Sequence, residues 1–241
     1  MSLPSRALIV AAGRSSRLRP LTEHTPKALL EVGGETMLAR SVRILRSFGI
    51  TDFAIAVGFG AEQIERHLGH DGFTYILNPF YSVTNNLASL WLAREWAGDD
   101  GFLYLHSDLV YAPELIGAMA SAPSDAISLL TEVGPADEEA MKVRLVDGRF
   151  TESSKSIPLD QSLGEWVGIA AAPRCPRLSR DLFRTAEAVF MESDCNAYDT
   201  VAFTRMAGAG AGFHVVPTGG LPWVEVDDAA DLEKARRLFT A

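Results

Sequence analysis

The feature that most constrains this chain is a set of short apolar runs spaced by helix-period segments. Ala7-Leu8-Ile9-Val10 is apolar without a break, so a strand over residues 6–10 is buried on both faces. Comparable strands are predicted over residues 53–57, 73–77 and 102–106. Between them Leu38, Val42, Leu45 and Phe48 recur at helical spacing, and Gly49 closes that helix. Further helices are predicted over residues 61–68 and 86–96. Doubly buried strands alternating with helices call for a mostly parallel central sheet flanked by helices. In such sheets ligands sit beyond the carboxyl ends of the strands, and both the loop after Val10 and Ser107-Asp108 fall at such ends.

The second half is less regular. Strands are predicted over residues 126–132, 142–146 and 213–217, with Asp147-Gly148 as a hairpin turn before Phe150. Helices are predicted over residues 176–191 and 197–207, and Asp228, with Asp231 three residues on, caps a last helix carrying Leu232, Ala235 and Leu238. A chain of 241 residues with 47% hydrophobic content fits a single Rossmann-like α/β domain over residues 1–241. Its first part, about 6–125, holds the parallel sheet, and its second, about 126–241, adds a small β appendage. A formal net charge of −9 argues against nucleic acid as the main partner. No apolar run approaches the roughly 20 residues of a membrane span, and the start does not read as a signal peptide, so a cytoplasmic protein without membrane insertion is expected. Met1 to Ser5 read as a disordered start. Cys175 and Cys195 form neither a disulfide framework nor a zinc spacing and read as buried or semi-buried thiols.

Three segments carry candidate chemistry. Ala11-Ala12-Gly13-Arg14-Ser15-Ser16-Arg17-Leu18-Arg19-Pro20, followed by Pro26-Lys27, gathers cations in an acidic chain beside small residues whose backbone N–H groups can cradle an anion. Composition alone leaves a solvated basic loop equally open. In the segment Asn78-Pro79-Phe80-Tyr81-Ser82-Val83-Thr84-Asn85-Asn86-Leu87-Ala88-Ser89-Leu90, the two asparagines either cap a helix or present an amide donor and acceptor to a base edge. Asp108 and Asp227 are either turn and cap residues or the few hard carboxylates that magnesium takes alongside phosphate oxygens.

These segments resemble the sugar-phosphate nucleotidyltransferase superfamily, with its GT-A-like fold, whose loop normally reads Ala-Ala-Gly-x-Gly-x-Arg-Leu with a downstream Pro-Lys. Ser15 stands where the second glycine is usual, and a position demanding positive φ is mildly strained by it. The resemblance implies that Ala11, Ala12, Gly13, Arg14, Ser15 and Ser16 bind a nucleoside triphosphate and that Arg17 and Lys27 contact its phosphates. The pattern Asn-x-x-Tyr-x-x-x-Asn-Asn-x-x-Ser-Leu resembles the phosphocholine cytidylyltransferase branch. It implies nucleotide contacts from Asn78, Thr84, Asn85, Asn86 and Ser89, with CTP as the triphosphate. Asp108, and Asp227 within Glu225-Val226-Asp227, match the metal pair and imply Mg2+. Relatives often carry Asp-x-Asp where this chain has His106-Ser107-Asp108, and His106 is assigned to packing or support.

The same branch implies an acceptor pocket in the second part. Lys142 and Lys155 are assigned to the acceptor phosphate. Glu165, Asp199, Tyr198, Trp166 and Trp223 are assigned to a cationic amine, by charge and cation–π contact. Core tryptophans and solvated lysines are the competing readings. The expected function is Mg2+-dependent transfer of CMP from CTP to a small phospho-acceptor, with pyrophosphate released and Arg17, Lys27 and Asp108 as the catalytic residues. Phosphocholine stands first as acceptor, an aminoalkyl phosphonate such as 2-aminoethylphosphonate second, and a sugar or inositol 1-phosphate third. A homodimer is allowed. A non-catalytic nucleotide-binding module is the reading from another class, since fold does not fix function. His24, His67, His70 and His214 are assigned no chemistry.

Overall fold

The computed structural model describes residues 3–123 and 125–240. In chain order the elements are β1 (Arg6–Ala11), β2 (Glu31–Val32), β3 (Glu35–Thr36), α1 (Met37–Ser47), β4 (Asp52–Val57), α2 (Ala61–Leu68), β5 (Phe73–Leu77), α3 (Asn86–Leu92), α4 (Arg94–Ala97), β6 (Phe102–His106), β7 (Leu109–Tyr111) and α5 (Glu114–Met119). They continue with β8 (Ile127–Val133), β9 (Lys142–Val146), β10 (Arg149–Ser154), β11 (Gly164–Ala172), α6 (Pro176–Met191), α7 (Asp199–Gly208), β12 (Phe213–Pro217), β13 (Trp223–Glu225) and α8 (Ala229–Leu238).

Among the described residues the main sheet has nine strands, in the order β10-β9-β11-β6-β1-β4-β5, with β8 added on β11 and β12 on β8. β6, β1, β4 and β5 pair in parallel. β11 runs antiparallel to β6, β8 and β9, and β10 antiparallel to β9, while β12 is parallel to β8. Only β10 and β11 therefore oppose the common direction, and the sheet is mostly parallel.

Alternation along the central strands divides the core in two. Ala7, Ile9, Phe53, Ile55, Leu103 and Leu105 pack with α1, α2 and α5 on one face. Leu8, Val10, Ala54, Ala56, Phe102 and Tyr104 pack with α3, α6 and α7 on the other. A third, smaller core joins Leu18 and Leu30 to Val224, Val226, Leu232 and Phe239. It docks the loop after β1 onto β13 and α8, although about two hundred residues separate them in sequence.

Several expectations need correction. Leu3 packs against the core, and the Ser5 carbonyl accepts from the amides of Thr51 and Asp52, so these residues are anchored rather than disordered. Met1 and Ser2 lie outside the described residues. The helix expected over 86–96 is interrupted at Ala93, whose N–H reaches the Leu90 carbonyl in a tighter turn. The helix expected from 197 starts at Asp199, because Tyr198 is extended with ψ 155°. β11 was not foreseen as a strand. Gly164 and Gly168 mask its pattern, yet they are what lets it run through the sheet. At Gly164, φ is 155° and an added Cβ would lie 1.9 Å from the Glu132 carbonyl oxygen. Cys195 is exposed rather than buried. No helix among the described residues is long and apolar enough to cross a membrane.

Candidate active site

The carboxyl ends of β1, β5 and β6 open onto one cavity of about 790 Å³. Along its near wall the chain leaves β1 through Ala12 and Gly13. Ser15 follows with φ 35° and ψ 71°, the left-handed conformation that a glycine would adopt without strain. Thr22 Oγ1 donates to the Ser15 carbonyl at 2.6 Å and holds this turn. Burial of Leu18 in the third core then carries the basic loop to the residues before α8.

At that junction Lys27 Nζ lies 2.8 Å from Asp108 Oδ2 and 2.8 Å from Asp227 Oδ1, and Arg17 lies 2.8 Å from Asp227 Oδ2. The two aspartates arrive by different routes. Asp108 follows β6, and its carbonyl accepts from the Val226 N–H, while β7 and β13 pair so that Leu109 faces Glu225. Asp227 precedes the capping box of α8, and its own N–H donates to Asp231. Burial disfavours the Lys27 ammonium, but Asp108 and Asp227 outweigh it and raise its pKa. Burial likewise works against the Asp108 carboxylate, and Lys27 and His106 more than reverse this and lower its pKa. Asp108 Oδ1 is buried with no hydrogen-bond partner.

A third carboxylate, Glu225, completes the group. Ligand atoms of His106, Asp108 and Glu225 lie within 4.8 Å of one another. His106 Nε2 is engaged with Asp199 at 2.9 Å, and although burial opposes its charge, Asp199 raises its pKa to about 9. The hard oxygens of Asp108, Glu225 and Asp227 suit a divalent cation such as Mg2+, and the unpartnered Asp108 oxygen is an available donor atom. Glu225 was quoted in the sequence only as the neighbour of Asp227; it is the last residue of β13, two before Asp227.

Most of the remaining candidates also reach the cavity. Ala11, Ala12, Gly13 and Ser15 line it beside Arg17, and Asn78, Thr84, Asn85, Asn86 and Ser89 form a second wall. Asn78 is buried and spends its amide on Thr84, Ser89 and the Phe80 N–H, so it shapes this wall. Asn85 caps α3 through the Asn86 N–H, and Asn86 Oδ1 accepts from the Asp199 N–H. Trp166 and Asp199 line the cavity beside His106, and Lys155, Glu165, Tyr198 and Trp223 line the part built by the second half of the chain, its far end.

Three candidates do not line the cavity. Arg14 points away, its guanidinium 5.6 Å from the Phe59 ring centroid. Ser16 opens a short 3-10 turn outside the wall. Lys142 is 1% exposed, with Nζ donating to the carbonyls of Asp137, Glu138 and Ala140, so it cannot meet an acceptor phosphate. Asp199 does reach the wall, but its buried carboxylate is taken by Tyr104 and His106, which corrects its assignment to an amine. Glu132, Asp137 and Lys234 line the far end and were missed. Glu132, a charge at the end of an apolar strand, was the legible one of the three.

Burial first, then Asp137, raises the Glu165 pKa to about 7; burial first, then Asp108, does the same for Glu225. A carboxyl raised above its ordinary 4.5 keeps in the fold a proton that the unfolded chain loses between about pH 4.5 and 7. Its contribution to stability is present below that window and is lost as pH rises through it. Glu165→Gln is therefore expected to flatten the decline in denaturant-unfolding free energy between pH 4.5 and 7. An unchanged slope would show that Glu165 titrates normally.

Residues 7–190 match the model of the MobA-like NTP transferase domain. The chain belongs to this family. Among relatives, the CMP-5'-(3-aminopropyl)phosphonate synthase of Streptomyces rubellomurinus is 28% identical over 258 residues, covering 99% of this chain and 39% of that protein. The choline-phosphate cytidylyltransferase of Streptococcus pneumoniae is 39% identical over 90 residues, 37% of this chain and 39% of the relative. The chain thus spans about two fifths of the length of the first of these relatives. The inositol-1-phosphate CTP transferase from T. maritima superposes with a TM-score of 0.79 at 20% identity, covering 100% of this chain and 99% of that one, a likeness of fold. In this MobA-like domain the segments that line the cavity include those on which the sequence resemblance rests.

Proposed function

We propose that this MobA-like domain is a divalent-metal-dependent cytidylyltransferase, moving CMP from CTP to a small phosphate or phosphonate acceptor. The observation that carries the reading is the focus of Lys27, Arg17, Asp108, Asp227 and Glu225 on the wall of one cavity. An acceptor oxygen attacks the α-phosphorus, a new P–O bond forms, the bond to the bridging oxygen breaks, and pyrophosphate leaves. The acceptor is ionised at neutral pH, so no strong general base is needed, and the task is to bring two anions together.

The residues divide that task. The small residues 11–13 let backbone N–H groups approach the triphosphate, and Arg17 and Lys27 neutralise its charge. Asp108, Glu225 and Asp227 would hold the metal, which when bound supplies compensating charge at the reacting phosphates. Asn85, Asn86 and Ser89 stand on the wall where a base edge could be read. Support for CTP and for an amine-bearing acceptor comes from the names of the Streptomyces and Streptococcus relatives. The test is pyrophosphate release with each of the four ribonucleoside triphosphates, MgCl2, and phosphocholine, 2-aminoethylphosphonate, glucose 1-phosphate or inositol 1-phosphate. Release with CTP and an amine-bearing acceptor is expected. Turnover confined to sugar phosphates, or to another triphosphate, would replace this reading.

A further inference from the structure

We infer that the far end of the cavity is built for a primary ammonium group, with Glu132 and Glu165 accepting its hydrogen bonds. The inference rests on the proposed cytidylyl transfer and narrows its acceptor to a chain bearing –NH3+ at the end opposite the phosphate or phosphonate.

Glu132 on β8 and Glu165 on β11 are directly paired in antiparallel register, so their side chains share one face of the sheet, and both line the cavity. Glu132 is fixed from outside the pair: Oε2 accepts from the Thr218 hydroxyl and from Trp223 Nε1 at 3.3 Å. Trp223 is two residues from Glu225, so this fixed carboxylate is tied to the strand that carries the candidate metal ligand. Glu165 has no hydrogen bond or ion pair from its side chain to any described residue. The nearby cations are otherwise engaged or apart. Lys142 is turned onto backbone carbonyls, Lys155 pairs with Glu139 at 3.4 Å, and Lys234 makes no ion pair within 4.0 Å among the described residues. Two carboxylates facing each other on a half-buried wall are unfavourable without a cation between them; burial and then Asp137 raise the Glu165 pKa, Lys234 and Lys142 oppose the rise, and Glu132 adds the smallest part.

The ring arrangement separates a primary from a quaternary ammonium. A trimethylammonium group has no N–H to donate and is held by several aromatic faces. Trp166 cannot supply one: it is 3% exposed, its Nε1 donates to the Ile169 carbonyl at 3.0 Å, and its ring packs edge-on against His106 and Phe203. That leaves Tyr198 and Trp223 as the aromatic residues of this end. An –NH3+ group carries three donors and makes charge-assisted hydrogen bonds with carboxylates.

The test compares 2-aminoethylphosphonate, phosphocholine and ethylphosphonate as acceptors with CTP and MgCl2. CTP binding is measured separately by calorimetry and folding by thermal melting. Expected are a kcat/KM for 2-aminoethylphosphonate at least about tenfold above that for phosphocholine, and a KM raised about tenfold or more by Glu165→Gln and by Glu132→Gln. Both variants are expected to bind CTP as the parent does and to lose much less toward ethylphosphonate, which has no amine. Phosphocholine turned over as well as the primary amine would overturn the inference, as would variants that slow ethylphosphonate and 2-aminoethylphosphonate alike. If CTP binds and no amine-bearing acceptor reacts, the inference falls while the nucleotide reading stands. If CTP does not bind, the reading falls and this inference with it.

Discussion

Lys27→Met is expected to lower kcat on the order of 10³-fold and, in the same protein, to strengthen divalent-cation binding when no nucleotide is present. The first effect follows from charge. A buried ammonium aimed at a triphosphate acts where water does not screen it, so its removal costs far more than the loss of a surface lysine. The second follows from position. Lys27 Nζ sits 2.8 Å from an oxygen of each aspartate, on the line where a cation shared by Asp108 and Asp227 would sit. In the nucleotide-free protein the lysine is itself the counter-ion of the carboxylates. A divalent ion held by these carboxylates would have to displace it, and the phosphates of a bound triphosphate would give the ammonium a new partner. Methionine keeps the aliphatic bulk and removes the competitor. It also leaves buried carboxylates without compensation, so the variant should melt lower without metal and regain more than the parent when MgCl2 is added. Thermal melting with and without MgCl2, Mn2+ binding followed by electron paramagnetic resonance, and steady-state pyrophosphate release measure the three parts. Near-parental turnover would remove Lys27 from the chemistry. Metal affinity equal to the parent's would show that the lysine and the ion do not compete.

Why this lysine was legible in the sequence while other features were not has a physical explanation. The loop from Ala11 to Lys27 follows a strand whose unbroken apolar run fixes its place at the centre of a parallel sheet, so its end must open at the ligand edge. Asp108 follows a second such strand directly beside the first. Local pattern and topology agreed at both positions. Lys142 shows the opposite case. A lysine on a strand reads as solvent-facing or ligand-facing, but the 137–140 segment folds back and offers three carbonyls to its ammonium. No periodicity encodes that non-local partner set. Asp199 is similar, since its capture by Tyr104 and His106 depends on the packing of α7 over β6. β11 was hidden because its glycines weaken a strand pattern while serving its crowded path between β6 and β8. Glu132 and Glu165 became a pair only through that strand's register.

Asp108→Asn is expected to reduce metal-dependent turnover by about 10³-fold or more and to change the response to metal concentration, not merely its maximum. Asparagine preserves shape and one acceptor oxygen but removes the charge. Of the carboxylates around Lys27, Asp108 combines a 2.8 Å contact to the ammonium with a second oxygen that is buried and unpartnered. That oxygen is buried without a protein hydrogen-bond partner, so it is available as a donor atom to a cation. Asp227 differs. It is more exposed and shared between Lys27 and Arg17, so Asp227→Asn removes charge from a position that two cations already balance. The smaller loss is expected at 227 and the larger at 108. The neutral residue at 108 also withdraws the first of the two anions that hold the Lys27 pKa up against burial, so the ammonium of the variant should titrate at lower pH. Pyrophosphate release measured over a range of MgCl2 concentrations and pH values tests both consequences together. A variant with the parental metal-activation curve would place the ion elsewhere in the cavity. Loss of activity with no change in the alkaline limb of the pH profile would separate Asp108 from the charge state of Lys27.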